Sequence, residues 1–385
     1  MFPVTVQKWD SELEELVSRL ILSATNLGQM SPNPFFLEAV EIFLYQTNSY
    51  YTNSMEGNPS KLIDIENALK NKYSRNKTLR NFQLEHIAHI QVQKKMIKLL
   101  KANPKQNICS KEFLCWLHKE FYELLPDEMK FTLTQSDKKI AIQPGQLRSK
   151  PVQVGLHTPP QTQDEIEIYL THFNETLNPD SLTLNDKVLA LATSHHRFLW
   201  LHPFQDGNGR VARLFTTAYS YKIGLNSHLL WNVTRAFARN RSDYDTYLAL
   251  ADLPRRNDLD GRGPLSEEDL IKYCKFFLKA CIDQVKYMKE VLNFSEIEKR
   301  FLGYLAYKLK SGFLSKKKAK IIERVFRQGK VERKEIKDIC HVKTRQASQL
   351  IRQTLKSELC HSPSIYGPLY LKITSEMATF LFPDL

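Results

Sequence analysis

Amphipathic helical periodicity runs through most of this 385-residue chain and limits the folds open to it. The longest example spans residues 79–100, where apolar side chains recur at intervals of three and four. Further helices are expected over residues 11–22, from Pro34 onward, and over 111–125, 164–177, 185–200, 209–223, 234–250 and 266–291. Only 13 residues are glycine, which argues against a turn-rich all-β protein. The sequence therefore predicts a mainly α-helical fold.

One segment in the middle of the chain departs from this helical pattern. Residues 131–161 contain several prolines together with Gly145 and Gly155. Residues 151–155 alternate apolar and polar side chains as a strand does, and residues 141–147 are the expected partner across a turn. The sequence therefore predicts a small β-hairpin between two groups of helices.

The last quarter of the chain carries most of the net charge of +13, because residues 296–385 contain 19 basic and 9 acidic residues. Short helices are expected over 319–328, 333–340 and 345–359, followed by a strand at 366–373. That order is typical of a winged helix-turn-helix domain, with the third helix as the recognition helix. A small helical tail packed on the main body is the alternative. A basic domain of this kind fits DNA or another acidic, chromatin-like partner.

The cysteine pattern and the absence of long apolar runs bear on the compartment. Six cysteines without a CxxC pair predict free thiols in a reducing, cytoplasmic environment. No apolar run reaches the roughly 20 residues of a membrane span, so no membrane partner is expected. The first residues lack a basic stretch followed by an apolar one, so no ordinary signal peptide is expected. Export as an effector by another route stays open.

The segment 202–213, HPFQDGNGRVAR, groups residues that suit a phosphate ligand. Residues 207–209 (Gly-Asn-Gly) directly precede a predicted helix, whose first N–H groups favour an anion. Arg210 and Arg213 lie three apart and therefore share one face of that helix, where like charges repel. Such a pair is expected where a multiply charged anion lies beside it.

Two more side chains of the same segment are suited to chemistry on a phosphate. Asp206 offers a carboxylate oxygen of the kind that Mg²⁺ prefers when it also binds phosphates. His202 can accept a proton near neutral pH. The combination predicts phosphoryl or nucleotidyl transfer.

The segment also resembles the Fic family motif, HxFx(D/E)GNGRxxR, at every specified position. The resemblance implies a helical Fic core over residues 106–293, between an N-terminal helical region at 1–105 and the winged helix at 296–385. It further implies a protein adenylyltransferase, which transfers AMP from ATP to a Ser, Thr or Tyr hydroxyl of target proteins and of itself.

The resemblance assigns a role to each residue of the motif. His202 would deprotonate the target hydroxyl, and Asp206 would hold Mg²⁺, with Mn²⁺ as an alternative metal. The residues that would bind the phosphates of ATP are Gly207, Asn208, Gly209, Arg210 and Arg213.

Two other segments resemble elements of the same family. A flap over about residues 140–160 would hold the target protein by strand pairing, with Val152 and Val154 as the positioning side chains. Residues 241–248 resemble the helix that borders the adenine pocket, where Tyr244 is the expected contact.

Residues 52–58, TNSMEGN, resemble the (S/T)xxxE(G/N) inhibitory motif of one Fic subclass. In that subclass Glu56 would pair with Arg213 and occupy the place of the γ-phosphate, so that ATP binds in an unproductive pose. Relatives with this segment commonly form dimers, so the resemblance also allows a homodimer.

Two other functions stay open from the sequence. Glu56 could position a water molecule that removes AMP from a modified target, which would make the protein a de-AMPylating hydrolase or a bifunctional enzyme. Alternatively, the chain could be a DNA-binding regulator whose Fic core senses nucleotide, with DNA contacted by Arg345, Arg352 and nearby lysines. The sequence does not identify a target protein.

Two pairs of closely spaced histidines outside the motif lie on predicted helices. They are His86, His89, His195 and His196. Because none has an obvious third ligand nearby in sequence, we expect them to pack between helices rather than to bind a metal ion.

Overall fold

The computed structural model describes residues 1–29, 34–133, 139–155, 157–225 and 229–384. The chain divides into two compact units. The first unit comprises residues 1–25 and 47–285, and the second unit comprises residues 26–46 and 286–385. The predicted boundaries of three domains stay a prediction.

The helices up to residue 291 follow the amphipathic pattern of the sequence. They are α1 (Ser11–Gln29), α2 (Pro34–Ser54), α3 (Leu62–Leu69), α4 (Lys77–Ala102), α5 (Lys111–Glu123), α6 (Gln163–Leu177), α7 (Leu184–Leu201), α8 (Asn208–Lys222), α9 (Thr234–Arg239), α10 (Arg241–Ala251) and α11 (Glu267–Val291). The mainly α-helical fold predicted from the sequence is therefore confirmed.

Side-chain caps fix the starts of several of these helices. The Asn76 side chain accepts a hydrogen bond from the Leu79 N–H at the start of α4. Ser110 caps α5 in the same way, and Thr162 forms a capping box with Glu165 at the start of α6. Each cap satisfies backbone N–H groups that have no partner within the helix.

Helices α7 and α8 form the centre of the first unit. They pack against each other, and nearly every side chain of α7 from Val188 onward is buried. A helix buried on all sides lies inside a core rather than on its surface. The residues that join α7 to α8 are therefore held at the ends of two firmly packed helices.

The predicted β-hairpin forms with a different pairing. Strand β1 (Phe131–Leu133) pairs antiparallel with strand β2 (Lys139–Ala141), and Thr132 lies opposite Ile140. The expected pairing of residues 141–147 with 151–155 is wrong for the residues that the structure describes.

The described flap residues after β2 form turns and irregular chain rather than a regular strand. Pro151 lacks the N–H that a sheet ladder needs, which disfavours a regular strand at this position. Val154 and His157 form one isolated antiparallel bridge. The Val154 N–H donates to the His157 carbonyl with an N to O distance of 3.0 Å, and the His157 N–H donates to the Val154 carbonyl at 2.9 Å. Residue 156, between them, lies outside the described residues.

The single helix expected over residues 234–250 is interrupted. Asn240 separates α9 from α10 with φ −112° and ψ 45°. Its side chain donates to the Ala236 carbonyl at 3.0 Å, which competes with regular helical hydrogen bonds. The break lets α10 start afresh, with Arg241 as its first residue.

The second unit combines short helices with a small sheet. Its elements after α11 are α12 (Phe294–Lys310), α13 (Lys316–Gln328), β3 (Lys330–Val331), α14 (Ile336–Cys340), α15 (Thr344–Lys356), β4 (Cys360–His361), β5 (Leu369–Leu371) and α16 (Ser375–Leu381). The strands pair antiparallel in the order β3-β5-β4. Phe301 and Phe326 stack in its core with ring centroids 4.0 Å apart. Helices α3, α12 and α16 were not expected from the sequence.

None of the helices within the described ranges is both long enough and apolar enough to cross a membrane.

Candidate active site

The segment 202–213 forms the turn from α7 into α8. His202 directly follows α7 as its C-cap and adopts a left-handed conformation, with φ 47° and ψ 58°. Phe204 is fully buried, and its ring stacks on His118 with centroids 4.1 Å apart. Gly207 precedes the first turn of α8 with φ 80°. The buried phenylalanine anchors the loop, so that the polar residues on either side of it have fixed positions.

The side chain of Asn208 closes this loop on itself. Its Oδ1 accepts from the Phe204 N–H at 3.0 Å, and its Nδ2 donates to the Phe204 carbonyl at 2.8 Å. Both polar ends of the amide are therefore used inside the protein. The predicted anion-binding role of Asn208 stays a prediction, and it fits the backbone N–H groups at the start of α8 better than the side chain.

Two glycines of the motif lie where a larger residue would not fit. A Cβ on Gly207 would lie 2.8 Å from the Tyr122 ring. A Cβ on Gly209 would lie 2.6 Å from the Glu56 carboxylate and 3.1 Å from Arg213 Nη1. The start of α8 is therefore closely approached on two sides, as a small binding cavity requires.

Arg210 is buried and fixed by several groups. Its Nη2 donates to the Tyr122 hydroxyl at 3.0 Å, and its other contacts are Asp206 Oδ2 at 3.5 Å and Glu85 Oε1 at 3.4 Å. The guanidinium also lies 4.9 Å from the centre of the Phe121 ring. Burial alone would lower the pKa of Arg210, but Tyr122 and the two carboxylates outweigh it and raise the pKa. Arg210 is therefore a permanent, immobile cation.

Arg213, one turn further along α8, is held by residues of the segment 52–58. Its Nε donates to the Thr52 hydroxyl, and its Nη2 donates both to the Thr52 carbonyl at 3.1 Å and to the Glu56 carboxylate. The Arg213 side chain is buried, whereas 37% of the Glu56 side chain is exposed. The structure thus brings together the two residues that the resemblance pairs.

Glu56 is ionised in this arrangement. Burial raises the pKa of its carboxyl group, but the positive charges of Arg213 and Arg210 outweigh burial and hold the pKa below its ordinary value of 4.5. At neutral pH the pair is therefore a charge-assisted hydrogen bond between a carboxylate and a guanidinium.

The turn that carries Glu56 has two supports that the sequence did not single out. Arg241, at the start of α10, donates to the Met55 carbonyl at 2.6 Å. Asn58 donates to Glu85 Oε2 at 3.0 Å. Glu85 and Tyr122 also reach the site from α4 and α5, and no motif in the sequence marks them. Sequence distance hides Glu85 and Tyr122, because they meet the motif only when the helices pack.

His202 has the protonation state that the predicted chemistry needs, and Asp206 is within reach of solvent. Burial, followed by the charge of Arg148, lowers the pKa of His202 to about 4, so its imidazole is neutral at pH 7. Asp206 Oδ1 accepts from the Gly207 N–H at 2.6 Å, and 41% of the Asp206 side chain is exposed.

Asp206 fits a metal ion that is shared with a ligand. Mg²⁺ in nucleotide sites commonly has one or two protein carboxylates and takes its other ligands from phosphates and water. One partly exposed carboxylate beside the start of α8 meets this requirement. Within the described ranges, no group of three or more His, Cys, Asp or Glu side chains could hold a metal without such a ligand.

Tyr244 and the two valines of the flap have different surroundings. Tyr244 is 3% exposed, its hydroxyl lies 2.8 Å from His195 Nε2, and its ring stacks on Phe237 at 4.5 Å. Val152 and Val154 are half-buried and flank the exposed Gln153. The adenine role of Tyr244 and the target-positioning role of the valines stay predictions.

The two pairs of histidines named above, His86 with His89 and His195 with His196, are buried among helices. The atoms they meet are Ser49 Oγ for His86, Gln93 Nε2 for His89, Thr216 Oγ1 for His195 and Asp252 Oδ1 for His196. Burial lowers the pKa of His86 to about 4 and that of His195 to about 3. These side chains are therefore neutral hydrogen-bonding groups of the core.

Parts of the sequence match a known protein family and several known proteins. Residues 108–220 match the family model described as the Fic/DOC family. The chain is 32% identical over 110 residues to "Protein adenylyltransferase Fic" of Aedes aegypti. These 110 residues make up 29% of this chain and 21% of that protein. It is 31% identical over 124 residues to "Protein adenylyltransferase fic-1" of Caenorhabditis briggsae, covering 31% and 24% of the two chains. The chain thus covers less than a quarter of the length of these relatives.

Solved structures show the same fold. A Fic family protein from Desulfovibrio desulfuricans G20 matches with a TM-score of 0.56 and 16% identity, over 96% of this chain and 98% of that chain. Fic-1 (residues 134–508) from C. elegans matches with a TM-score of 0.54 and 16% identity, over 74% and 73%. Residues 108–220 therefore match the Fic/DOC family model, and the chain shares the fold of these two solved structures.

Proposed function

We propose that this protein is an adenylyltransferase that transfers AMP from ATP to the hydroxyl group of a Ser, Thr or Tyr residue in a protein. One observation carries the proposal. The segment that leads from α7 into α8 carries a neutral histidine, a partly exposed carboxylate, the free N–H groups of a helix start and a fixed arginine. Nucleophilic attack on a phosphorus atom requires groups of these kinds.

The proposed reaction follows from the state of each residue. His202 accepts the proton of the target hydroxyl, whose oxygen forms a bond to the α-phosphorus of ATP. The bond from that phosphorus to the bridging oxygen breaks, and pyrophosphate leaves with the electron pair. Arg210 and the first N–H groups of α8 stabilise the negative charge that develops. When Mg²⁺ is bound, Asp206 would hold it, and the ion would neutralise charge on the phosphates.

Glu56 restrains this reaction in the proposal. Arg213 lies one helical turn from Arg210, where it could bind the end of a triphosphate. The Glu56 carboxylate already occupies its guanidinium. ATP must therefore displace Glu56 or bind with its last phosphate elsewhere, which moves the α-phosphorus away from the attacking hydroxyl.

The first test uses ATP labelled on the α-phosphate, with Mg²⁺, the purified chain and a cell lysate as a source of acceptors. We expect weak labelling by the wild type, strong labelling by Glu56→Gly, and none once His202→Ala is added to Glu56→Gly. Glu15→Gln, which removes an exposed ion pair of α1, is the matched control and should behave as the wild type does. Equal labelling with and without His202 would refute the proposed transfer.

The exposed part of Glu56 favours a second activity at the same site. An ionised carboxylate that is 37% exposed can contact and orient water. We propose that Glu56 also activates water to remove AMP from a modified protein. Protein labelled by Glu56→Gly is the substrate for this test. Wild type should release labelled AMP from it, Glu56→Gln should not, and release by both would contradict the proposal.

The second unit supports a nucleic-acid partner. Helices α14 and α15 and the segment between β4 and β5 line a groove of about 900 Å³. Its basic residues are Arg333, Lys334, Lys337 and Arg352, and none of the described lining residues is acidic. We propose that this unit is a winged helix-turn-helix domain that binds duplex DNA, with α15 as the recognition helix.

Fluorescence anisotropy with a labelled DNA duplex of about two helical turns tests this assignment. Binding should weaken steeply as salt rises from about 50 to 200 mM. Lys337→Glu and Arg352→Glu should each reduce the affinity, whereas Lys310→Glu, which lies outside the groove, should change it much less. Equal losses from all three variants would indicate nonspecific attraction and would refute a DNA site in the groove. The same groove variants would then test an acidic protein as the partner.

A further inference from the structure

Arg148, a residue of the flap segment to which the sequence assigned no role, links the flap to the catalytic turn. Its side chain is 3% exposed. Its Nε donates to the His202 carbonyl at 2.7 Å, its Nη1 donates to the Lys150 carbonyl at 3.2 Å, and its Nη2 donates to the Pro160 carbonyl. Its backbone N–H donates to the Pro203 carbonyl at 2.9 Å. One guanidinium therefore joins the catalytic residue to Lys150 and Pro160 of the flap.

The partners of this guanidinium are unusual for a buried arginine. All three are backbone carbonyls, and none is a carboxylate. A buried cation is costly unless its donors are satisfied, and burial lowers the pKa of Arg148 accordingly. The guanidinium group is planar and has five N–H donors, so it can bond to carbonyls in three directions at once. A lysine ammonium group cannot do this with the same geometry.

A second contact between the flap and α7 does not involve the catalytic residue. His157 Nε2 lies 2.8 Å from the Trp200 carbonyl, and the two rings are 4.9 Å apart. This contact holds the tip of the flap near the end of α7. Within the described ranges, Arg148 is the residue whose side chain bonds to His202 while it also holds Lys150 and Pro160 of the flap.

We propose that Arg148 is a positioning residue, which keeps the His202 imidazole and the flap-bound target hydroxyl in register for proton transfer. The proposal rests on the transfer reaction proposed above. It assigns to Arg148 no contact with ATP or with the reacting atoms. Loss of Arg148 should therefore slow transfer without weakening ATP binding.

The charge of Arg148 gives the proposal a second observable. Burial is the largest cause of the low pKa of His202, and Arg148 is the next. The other charged or titratable groups facing His202 are Asp206, which raises this pKa, and His157, which lowers it. Removing the Arg148 charge should therefore move the pKa of His202 toward its ordinary value of 6.5.

The kinetic test compares Arg148→Met and Arg148→Lys in the Glu56→Gly chain. The acceptor is the full-length chain carrying both His202→Ala and Glu56→Gly, and the donor is α-labelled ATP. We expect a loss of about 100-fold in kcat for Arg148→Met, a KM for ATP within about twofold of the parent, and partial recovery in Arg148→Lys. The acid limb of the pH–rate profile should move to higher pH.

Arg197→Met is the matched control. Arg197 is also fully buried and also donates to a backbone carbonyl, that of Pro3 at 2.6 Å, but it does not contact His202. If Arg148→Met and Arg197→Met lower kcat equally, the effect is general destabilisation and the proposal is wrong. Unchanged kcat in Arg148→Met would also overturn it.

Two measurements that do not depend on catalytic activity test this proposal separately from the proposed reaction. Nuclear magnetic resonance of histidine rings, assigned with His202→Ala, gives the pKa of His202 directly. Hydrogen exchange of residues 150–160 reports how firmly the flap is held. Arg148→Met should raise the pKa and speed exchange, and Arg197→Met should do neither. If Glu56→Gly transfers no AMP, the proposed function fails, and these two readouts still decide whether Arg148 positions His202 and the flap.

Discussion

Asn208→Ala should destabilise the first unit by removing the two hydrogen bonds that close the catalytic turn. The Asn208 amide bonds to both the N–H and the carbonyl of Phe204, at 3.0 and 2.8 Å. Phe204 is fully buried, so water cannot replace the amide without opening the loop. The variant leaves a donor and an acceptor without partners in the core.

The expected size follows from these two bonds. Each unsatisfied buried polar group costs about 1–3 kcal/mol. Partial relaxation of the loop reduces the sum, so we expect the free energy of unfolding to fall by about 2–5 kcal/mol. Typical domains have about 5–15 kcal/mol in total, so the change is large on that scale.

Urea unfolding followed by tryptophan fluorescence measures this change in the relevant part of the chain. The four tryptophans, at positions 9, 116, 200 and 231, all belong to the first unit. The midpoint should fall at an unchanged m-value. Asn185→Ala, at an exposed position in the first turn of α7, is the control and should change the free energy of unfolding by less than about 0.5 kcal/mol.

A loss below about 1 kcal/mol for Asn208→Ala would refute this reasoning. It would mean that the amide does not hold the loop closed in solution. The Asn208 side chain would then be available to a phosphate, which is the role that the family resemblance assigned to it.

Three further outcomes follow from the same site. Gly207→Ala should lower the free energy of unfolding by about 1–3 kcal/mol in the same urea assay, because its Cβ would lie 2.8 Å from the Tyr122 ring at a φ of +80°. Arg241→Met should raise α-label transfer severalfold in the wild type but not in Glu56→Gly, because Arg241 holds the Met55 carbonyl. The ratio of transfer by Glu56→Gln to transfer by wild type should stay constant between about pH 8 and 6. The pKa of Glu56 lies below 4.5, so the restraint is complete above that pH and is lost only as the pH falls through the lowered value.

The sequence predicted the parts of the site that are close together in the chain. Residues 202–213 span the turn from α7 into the first turns of α8, so their spacing alone places Asp206 beside Arg210 and His202 at the start of the same turn. The contact between Glu56 and Arg213 spans 157 positions. It could be expected only because a second motif resembles the same family.

The rest of the site depends on how helices pack, which periodicity does not specify. In the sequence, nothing distinguishes Glu85 and Tyr122 from other residues of α4 and α5. In the structure, both contact Arg210 of the motif. The same limit explains the hairpin, because residues 131–133 and 151–155 have equally short alternating patterns and the structure pairs the former with β2. The break at Asn240 is likewise a local competition between side chain and backbone.

The buried histidines of the first unit have a consequence for its tolerance of acid. His86, His118 and His195 are at most 1% exposed, and burial lowers their pKa values to about 4, 4 and 3. In the unfolded chain each would take up a proton near pH 6.5, whereas in the folded protein each stays neutral. These three histidines alone therefore make unfolding absorb up to three protons in mildly acidic solution, and around pH 5 they lower the free energy of unfolding by up to about 4 kcal/mol per pH unit. Mild acidification thus acts on this unit as a denaturant.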